Sequence, residues 1–161
     1  MDLFENWKDI KEHFRNSFIS NLHVSIASVN DNNDPTNTPI GSFFLNDNQT
    51  GFYFEKYPTN LPANAHTHKK ICVLGVNSSK WFWLKSLFKE EFSSHPAIKL
   101  YGELGEKRKA TETELRALKR RLRLTEGLKG YKYLWRDMEG VREIKFTKAE
   151  KINLGKMTQK L

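Results

Sequence analysis

The sequence predicts an α+β fold in which helices flank an antiparallel sheet or barrel. Two observations support this prediction. Short stretches of alternating or continuous apolar residues, bounded by Asn, Asp, Gly and Pro, occupy much of residues 22–76 and return at 98–104 and 141–146. Helical patterns stand at the amino terminus and as insertions between these stretches, which differs from the regular strand–helix alternation of a parallel sheet.

The first predicted element is an amphipathic helix over residues 2–18. Asp2 precedes Glu5 by three residues, as the two partners of a capping box do. Apolar residues then recur at helical spacing and make one stripe, formed by Leu3, Trp7, Ile10, Phe14 and Phe18. Residues 1–20 are therefore interpreted as a helix that packs on the sheet.

Strand patterns follow this helix. Each has apolar residues at alternate positions or in a short run, with turn-forming residues at its ends. The run at 71–76 is apolar on both faces, which predicts a central strand or a strand at a subunit interface. The predicted strands lie within 23–29, 39–45, 51–56, 71–76, 98–104 and 141–146.

The first of two predicted helical insertions covers residues 80–92. Trp81, Leu84 and Phe88 share one stripe, with Trp83 and Leu87 alongside, and we interpret this stripe as core packing. Because this helix is apolar on more than one side, two alternative roles stay open. Its aromatic residues could stack on a planar ring, or the helix could cover a second subunit.

The second predicted insertion covers residues 111–124. It opens with Thr111 and Glu114 as a capping box, and its apolar face consists of Leu115, Leu118 and Leu122. The exposed face is basic and consists of Arg116, Lys119, Arg120, Arg121 and Arg123. This spacing is also typical of an ordinary solvated helix, and no nucleic-acid-binding signature accompanies it. Nucleic acid is therefore not expected as a partner.

Composition sets the remaining limits. A chain of 161 residues suits one domain with a substantial core, and an aromatic content of 12% argues against disorder. Cys72 is the single cysteine, so no internal disulfide forms. The sequence has no signal-peptide pattern and no membrane span, which predicts a cytoplasmic protein. The net charge of +8 suits an anionic partner such as a phosphorylated cofactor.

Several catalytic motifs are absent. The chain has no glycine-rich phosphate loop of the Walker or dinucleotide type, and no serine in a nucleophile elbow. His66 and His68 stand two apart in a polar turn without a nearby acidic residue. Because metal ligands normally come in sets of three or four, no metal site is predicted.

The turn at residues 55–64 is the best candidate for a ligand site. Lys56 offers a positive charge, Thr59 a hydroxyl, and Asn60 and Asn64 offer amides, beside backbone N–H groups near Pro62. Several converging donors in a positive field suit a phosphate group. A solvated loop without a ligand is the alternative, and the residues alone leave both open.

A family resemblance runs from about residue 20 to the end of the chain. It is carried by HVSIASV, TPIGSFFL, TGFYFEKYPTNLPANA, ICVLGVNS, IKLYGELGE and the tail MEGVREIKFTKAEKINLGKMT. Together these segments resemble the pyridoxamine 5′-phosphate oxidase-like family of flavin-binding split barrels. The resemblance implies a six-stranded antiparallel split barrel with flanking helices. It also implies a homodimer that binds FMN between its subunits and acts as an oxidoreductase on a small molecule.

The resemblance also assigns residues to the cofactor. Gly41 and Ser42 lie on the strand that runs beside the flavin in relatives, and Thr59 stands where a phosphate-binding hydroxyl is expected. Trp135 is a further candidate for contact with the ring or the substrate. No catalytic residue is assigned, because the flavin itself carries the chemistry. The implied cofactor-binding residues are Gly41, Ser42, Glu55, Lys56, Tyr57, Thr59, Asn60, Asn64 and Trp83.

The sequence departs from true pyridoxine phosphate oxidases in three places. Asn60 and Leu61 stand where those enzymes carry an Arg-Lys pair, and PIGSFF lacks the Arg and Lys of their second strand. The Arg-Leu-x-Pro ending is also missing. These departures argue against vitamin B6 oxidation. They leave open an alternative function, a non-enzymatic split barrel that binds haem or another flavin.

Overall fold

Seven strands of the computed structural model, which describes residues 1–161, form one antiparallel sheet. The strands are β1 Val24–Val29, β2 Pro35–Ile40, β3 Phe43–Leu45, β4 Thr50–Phe54, β5 Lys70–Val76, β6 Ala97–Lys109 and β7 Gly140–Lys151. The helices are α1 Trp7–Asn21, α2 Asn60–Asn64, α3 Lys80–Lys89, α4 Glu112–Leu122 and α5 Tyr131–Trp135, with 3₁₀ turns at Arg123–Thr125 and Gly155–Thr158. This arrangement confirms the predicted α+β class.

The sheet curls into a split barrel. Its strand order is β2-β1-β5-β6-β7-β4-β3, and its two end strands are separated in the chain only by Gly41 and Ser42. Seven strands therefore replace the expected six. The segment predicted as one strand over 39–45 changes partner at Gly41 and Ser42. Before this point β2 pairs with β1, and after it β3 pairs with β4.

The barrel interior and α1 share the main hydrophobic core. Trp7, Ile10 and Phe14 of α1 pack with inward-facing residues of the strands in a cluster of 19 buried side chains. A smaller cluster on the outside of β4 and β7 is covered by Leu118 and Leu122 of α4. The strand predicted at 71–76 is central, because β5 lies between β1 and β6.

Of the two capping boxes predicted at helix starts, the structure contains the second and differs at the first. The capping box of Thr111 and Glu114 is present, with both reciprocal hydrogen bonds formed. The first helix begins at Trp7 rather than at residue 2, because the Asp2 carboxylate caps a separate preceding turn, where it accepts hydrogen bonds from the N–H groups of Phe4 and Glu5 at 2.8 Å.

The apolar stripe of α3 points away from the protein, so its interpretation as core packing is wrong. Trp81, Leu84 and Phe88 are 73%, 60% and 91% exposed. The inward face is instead formed by Phe82, Trp83 and Ser86. Trp83 fixes this orientation because its indole N–H donates to the Asn77 carbonyl at 2.7 Å and its ring packs against Phe92.

A buried histidine makes the stability of the fold depend on pH. Burial lowers the pKa of His13 below 6.5, although its ring nitrogen hydrogen-bonds the Gly75 carbonyl at 2.9 Å. The unfolded chain therefore takes up a proton below about pH 6.5 while the native state does not. We expect the free energy of unfolding to fall between pH 7.5 and pH 5.5 in urea denaturation. His13→Gln should reduce this loss, and an identical pH dependence in the variant would contradict the assignment.

No helix of the structure combines the length and apolar character that a membrane crossing requires.

Candidate cofactor site

A cleft opens where β2 passes into β3. Its volume is about 290 Å³, and its walls come from the end of β2, the turn after β4 and the segment of α5. Gly41 contributes only backbone to this part of the wall, and the edge of the Trp135 ring lies close to it. The lining residues are Thr38, Pro39, Ile40, Gly41, Ser42, Phe54, Tyr57, Pro58, Leu134, Trp135 and Met138.

A larger cavity of about 540 Å³ adjoins the cleft, and we call it the Arg121 cavity. It lies among α1, β3 and the end of α4. Gly41 and Trp135 line both spaces, so the two form one groove. A Cβ atom added at Gly41 would stand 3.4 Å from the Trp135 ring and 3.4 Å from the Leu22 carbonyl oxygen. A Cβ at Gly41 would thus fill the space between these two groups, and a larger side chain there would extend into the groove.

Three of the predicted cofactor residues line the cleft. Tyr57 comes together there with Gly41 and Ser42, which are consecutive residues and lie 15 or more positions earlier in the chain. The Ser42 hydroxyl is buried and donates to the Phe54 carbonyl at 3.1 Å, so it holds β3 against β4. Gly41 thus offers open space, and Ser42 stabilises the strand bend that creates it.

Two side chains of the predicted phosphate turn hold the α5 segment in place. The Lys56 ammonium donates to the Arg136 carbonyl, and the Tyr57 hydroxyl donates to the Tyr133 carbonyl. An ammonium has three donors, so two remain at Lys56. Thr59 is exposed and makes only a long contact, 3.5 Å, with the side chain of the equally exposed Asn60. Lys56, Thr59 and Asn60 therefore retain donors for a ligand.

Glu55 belongs to a buried polar network and lines neither the cleft nor the Arg121 cavity. Its carboxylate accepts hydrogen bonds from Tyr53 Oη at 2.8 Å and from Arg142 Nη2 at 3.1 Å, and Lys107 lies 3.6 Å away. Burial acts to raise the pKa of Glu55, but the hydrogen bonds from Arg142 and Tyr53 outweigh it and lower the pKa overall. Desolvation raises the pKa of Tyr53. Glu55 is thus an ionised structural residue.

Asn64 and Trp83 also have structural partners. The Asn64 amide is buried and donates to Ser28 Oγ and to Thr36 Oγ1, both at 2.9 Å, and it thereby ties α2 to β1 and β2. Trp83 belongs to α3 and lines neither the cleft nor the Arg121 cavity. The structure therefore separates both residues from the group around Gly41.

The sequence analysis missed Arg121 as a site residue. We predicted that its side chain belonged to an exposed basic face, and Arg121 is exposed, but its guanidinium carbon also lies 3.6 Å from the centre of the Phe44 ring and 4.2 Å from that of Phe18. One signal was available in the sequence. Arg121 follows the buried Leu118 by three residues, which places it at the apolar edge of the helix.

The groove has the chemistry of a site for a planar ligand. Apolar and aromatic side chains form most of its walls, and Thr38, Ser42 and Tyr57 add hydroxyl groups. Lys56 and Thr59 do not line the cleft themselves, but they flank Tyr57 and Pro58, which do. No histidine lines the cleft or the Arg121 cavity. No three His, Cys, Asp or Glu side chains are placed together to hold a metal ion.

Comparison with solved structures identifies the architecture. An FMN-binding protein from Syntrophomonas wolfei superposes with a TM-score of 0.60 at 16% identity, covering 93% of this chain and 94% of that one. A candidate pyridoxamine 5′-phosphate oxidase from Lactobacillus delbrueckii gives 0.52 at 17% identity, with 87% and 91% covered. HutZ, the haem storage protein of Vibrio cholerae, gives 0.55 at 11% identity, with 89% and 92% covered.

Sequence comparison adds no closer relative. No family model matches the chain, and no curated protein is significantly similar to it. Identities of 11% to 17% to solved structures establish a shared fold and leave the ligand open. The protein has the split-barrel fold of the pyridoxamine 5′-phosphate oxidase-like proteins.

Proposed function

We propose that the protein is an FMN-dependent oxidoreductase that acts on a small molecule. The observation that carries this proposal is the cleft at Gly41, whose mostly apolar wall includes Tyr57 and Pro58, the residues between Lys56 and Thr59 in the turn. The groove suits a flavin ring, and the turn suits a phosphate. The FMN-binding protein of Syntrophomonas wolfei supports the proposal through its shared fold.

The residues of the cleft fit the parts of FMN. The open backbone at Gly41, with Ile40 and Trp135 beside it, offers an apolar surface to the isoalloxazine ring. Lys56 keeps two free donors, and the Thr59 hydroxyl makes only a long, exposed contact with Asn60 that a phosphate dianion could replace. Thr38 adds a hydroxyl on the β2 wall. The charge at this site is less than that of an Arg-Lys pair, so we expect moderate affinity.

The side chains around the groove would position ligands and exclude water. A bound flavin supplies two-electron chemistry, so the protein needs no general acid or base of its own. Trp135 covers the open backbone at Gly41, while the hydrogen bonds of Lys56 and Tyr57 anchor the α5 segment over the cleft. Removing these bonds would admit water to the ring face. The substrate would enter through the adjoining Arg121 cavity.

A non-enzymatic split barrel that binds haem or another flavin is the second candidate. HutZ of Vibrio cholerae, a haem storage protein, has the same fold. The absence of histidine from both the cleft and the Arg121 cavity favours flavin over haem, because histidine is a common axial ligand of haem iron. Titration with hemin decides this point. A Soret shift that saturates, with no response to FMN, would favour the second candidate.

Thr59 is the residue whose replacement tests the phosphate site. Thr59→Val keeps the shape of the side chain and removes its hydroxyl, so FMN should bind about tenfold more weakly, as expected for one hydrogen bond to a charged group. Quenching of flavin fluorescence measures the affinity. Thr67→Val, at another exposed threonine, is the matched control and should bind FMN like the wild type. Equal weakening by both variants would count against a phosphate at Thr59.

We further propose that the protein forms a homodimer through the outward face of α3. Trp81, Leu84, Leu87 and Phe88 form an apolar patch at 60% to 91% exposure, which is unusual for a surface that contacts only water.

Charge at the centre of this patch should prevent dimer formation. Phe88→Glu places a carboxylate where apolar contact is expected, so the dissociation constant of the dimer should rise at least tenfold. Sedimentation velocity measures the change. Phe4→Glu is the control, since Phe4 is 71% exposed but lies outside α3. A wild-type protein that is monomeric at about 100 µM, well above most stable dimer constants, would refute the proposal.

The single cysteine, Cys72, is relevant to the cellular compartment of the protein. Its thiol is free and half-buried on β5, and desolvation raises its pKa above the ordinary value. A thiol of this kind is unreactive and needs no oxidising environment. We propose the cytoplasm as its compartment, and a reduced Cys72 is compatible with that proposal.

A further inference from the structure

The Arg121 cavity has an apolar lining with a cation at its wall. Its volume of about 540 Å³ falls within the range of small-molecule sites. Phe14 and Ile19 of α1 form one side, and Phe43 and Leu45 of β3 form another. Such a lining favours a ligand with a hydrocarbon body.

Arg121 is held in this cavity without a carboxylate partner. Its guanidinium lies over the Phe44 ring and beside Phe18, and Nη1 donates to the Phe43 carbonyl. Of its five donors, one is thus used within the protein. Part of the side chain stays open to solvent, and desolvation of the rest lowers its pKa to about 10. Arg121 therefore remains positive at neutral pH and has donors available.

The other charges at the cavity leave it positive. Lys11 and Arg15 also line it, and each has a carboxylate beside it, Asp47 for Lys11 and Glu12, at 3.4 Å, for Arg15. No acidic residue lines the cavity itself. An anionic group that enters it meets Arg121 without competition from a resident carboxylate.

We propose that the Arg121 cavity binds a small monocarboxylate with an apolar body, such as a medium-chain fatty acid. The carboxylate pairs with the Arg121 guanidinium, which offers the planar two-donor geometry that matches it. The hydrocarbon part lies among Phe14, Ile19 and Phe43. This binding does not depend on the flavin. Because Gly41 and Trp135 line both spaces, it would place the ligand directly beside the cleft.

Calorimetric titration with decanoate, below the concentration at which it forms micelles, tests the proposal. The wild type should bind decanoate at least tenfold more tightly than decanol, which has the same chain without the charge. Arg121→Met should weaken decanoate binding at least tenfold and leave decanol binding unchanged. Arg123→Met is the control, since Arg123 is an exposed arginine of the same segment outside the cavity, and it should bind like the wild type.

A second variant keeps the test decisive if Arg121→Met fails to fold. Ile19 is 74% exposed, so Ile19→Glu should fold normally and repel decanoate, again by at least tenfold. The proposal is overturned if decanol binds as tightly as decanoate, if Arg121→Met or Ile19→Glu binds decanoate like the wild type, or if the wild type binds none. Co-sedimentation with phosphatidylcholine–phosphatidylglycerol vesicles without binding of monomeric decanoate would also overturn it, in favour of a lipid surface.

Discussion

Arg142→Met is expected to lower the free energy of unfolding by about 3 kcal/mol, the lower end of the range for breaking one side of a buried ion pair. The Arg142 and Glu55 side chains are only 11% and 5% exposed, and three donors converge on the Glu55 carboxylate. Without the guanidinium, a buried carboxylate keeps only the Tyr53 hydroxyl and a more distant ammonium. Urea denaturation at pH 7 measures the loss.

Lys107→Met is the matched control for this prediction. Lys107 approaches the same carboxylate at 3.6 Å, but its side chain is 52% exposed, so its removal should cost no more than about 1 kcal/mol. The pair also sets an acid dependence. Because the folded-state pKa of Glu55 is lowered, its contribution is complete above about pH 4.5 and declines as the pH falls through the folded-state pKa. Equal losses in the two variants would contradict a dominant Arg142–Glu55 pair.

Gly41→Leu is expected to abolish measurable FMN binding or weaken it by at least about tenfold. A Cβ at Gly41 already stands 3.4 Å from both the Trp135 ring and the Leu22 carbonyl, which is ordinary contact. The further carbons of leucine would fill the part of the groove that the flavin ring needs. The variant should still fold, because Gly41 is only half-buried and has no positive φ angle.

Gly41→Ala is the control that replaces glycine without filling the groove. Alanine adds only the Cβ, which fits at 3.4 Å, so FMN binding should stay within about threefold of the wild type, a difference below 1 kcal/mol. Flavin fluorescence titration measures both variants, and circular dichroism checks that both are folded. Wild-type affinity in Gly41→Leu would show that the flavin does not occupy this cleft.

Local patterns in the sequence were sufficient to predict the fold class. Alternation places Val24 and Ile26 inside the barrel, and an apolar run marks β5 as a central strand. Such patterns show which residues of one element share a face, and this is sufficient to recognise a strand and its buried side. The change of partner at Gly41 and Ser42 depends on two different strands, so local alternation could not reveal it.

The orientation of α3 shows a limit of the same reasoning. Its apolar residues cover more than one side, and helical spacing alone does not tell which side meets the core. The orientation of the helix is determined by Trp83, whose hydrogen-bond partner Asn77 and packing partner Phe92 both lie outside the helix. The stripe of Trp81 and Phe88 was therefore assigned to the wrong side.

The candidate site was predicted in part for a similar reason. The residue types at Lys56 and Thr59 suggested a phosphate site, and the family resemblance implied that Gly41 lies beside a flavin. The structure places Gly41 in a cleft that Tyr57 and Pro58 of the same turn also line, which leaves the ligand itself a prediction. The contacts of Lys56 and Tyr57 with the α5 segment join parts of the chain that are far apart in sequence. Only the folded chain reveals such contacts. The same is true of the contact between the Arg121 guanidinium and the Phe44 ring.

Titration of the purified wild-type protein with FMN tests the proposed function most directly. Our account predicts saturable quenching of flavin fluorescence at one FMN per chain, with a dissociation constant of about 10 µM or tighter, which corresponds to about −7 kcal/mol. A protein that is isolated without flavin and shows no binding up to about 1 mM FMN, equivalent to about −4 kcal/mol, would contradict it.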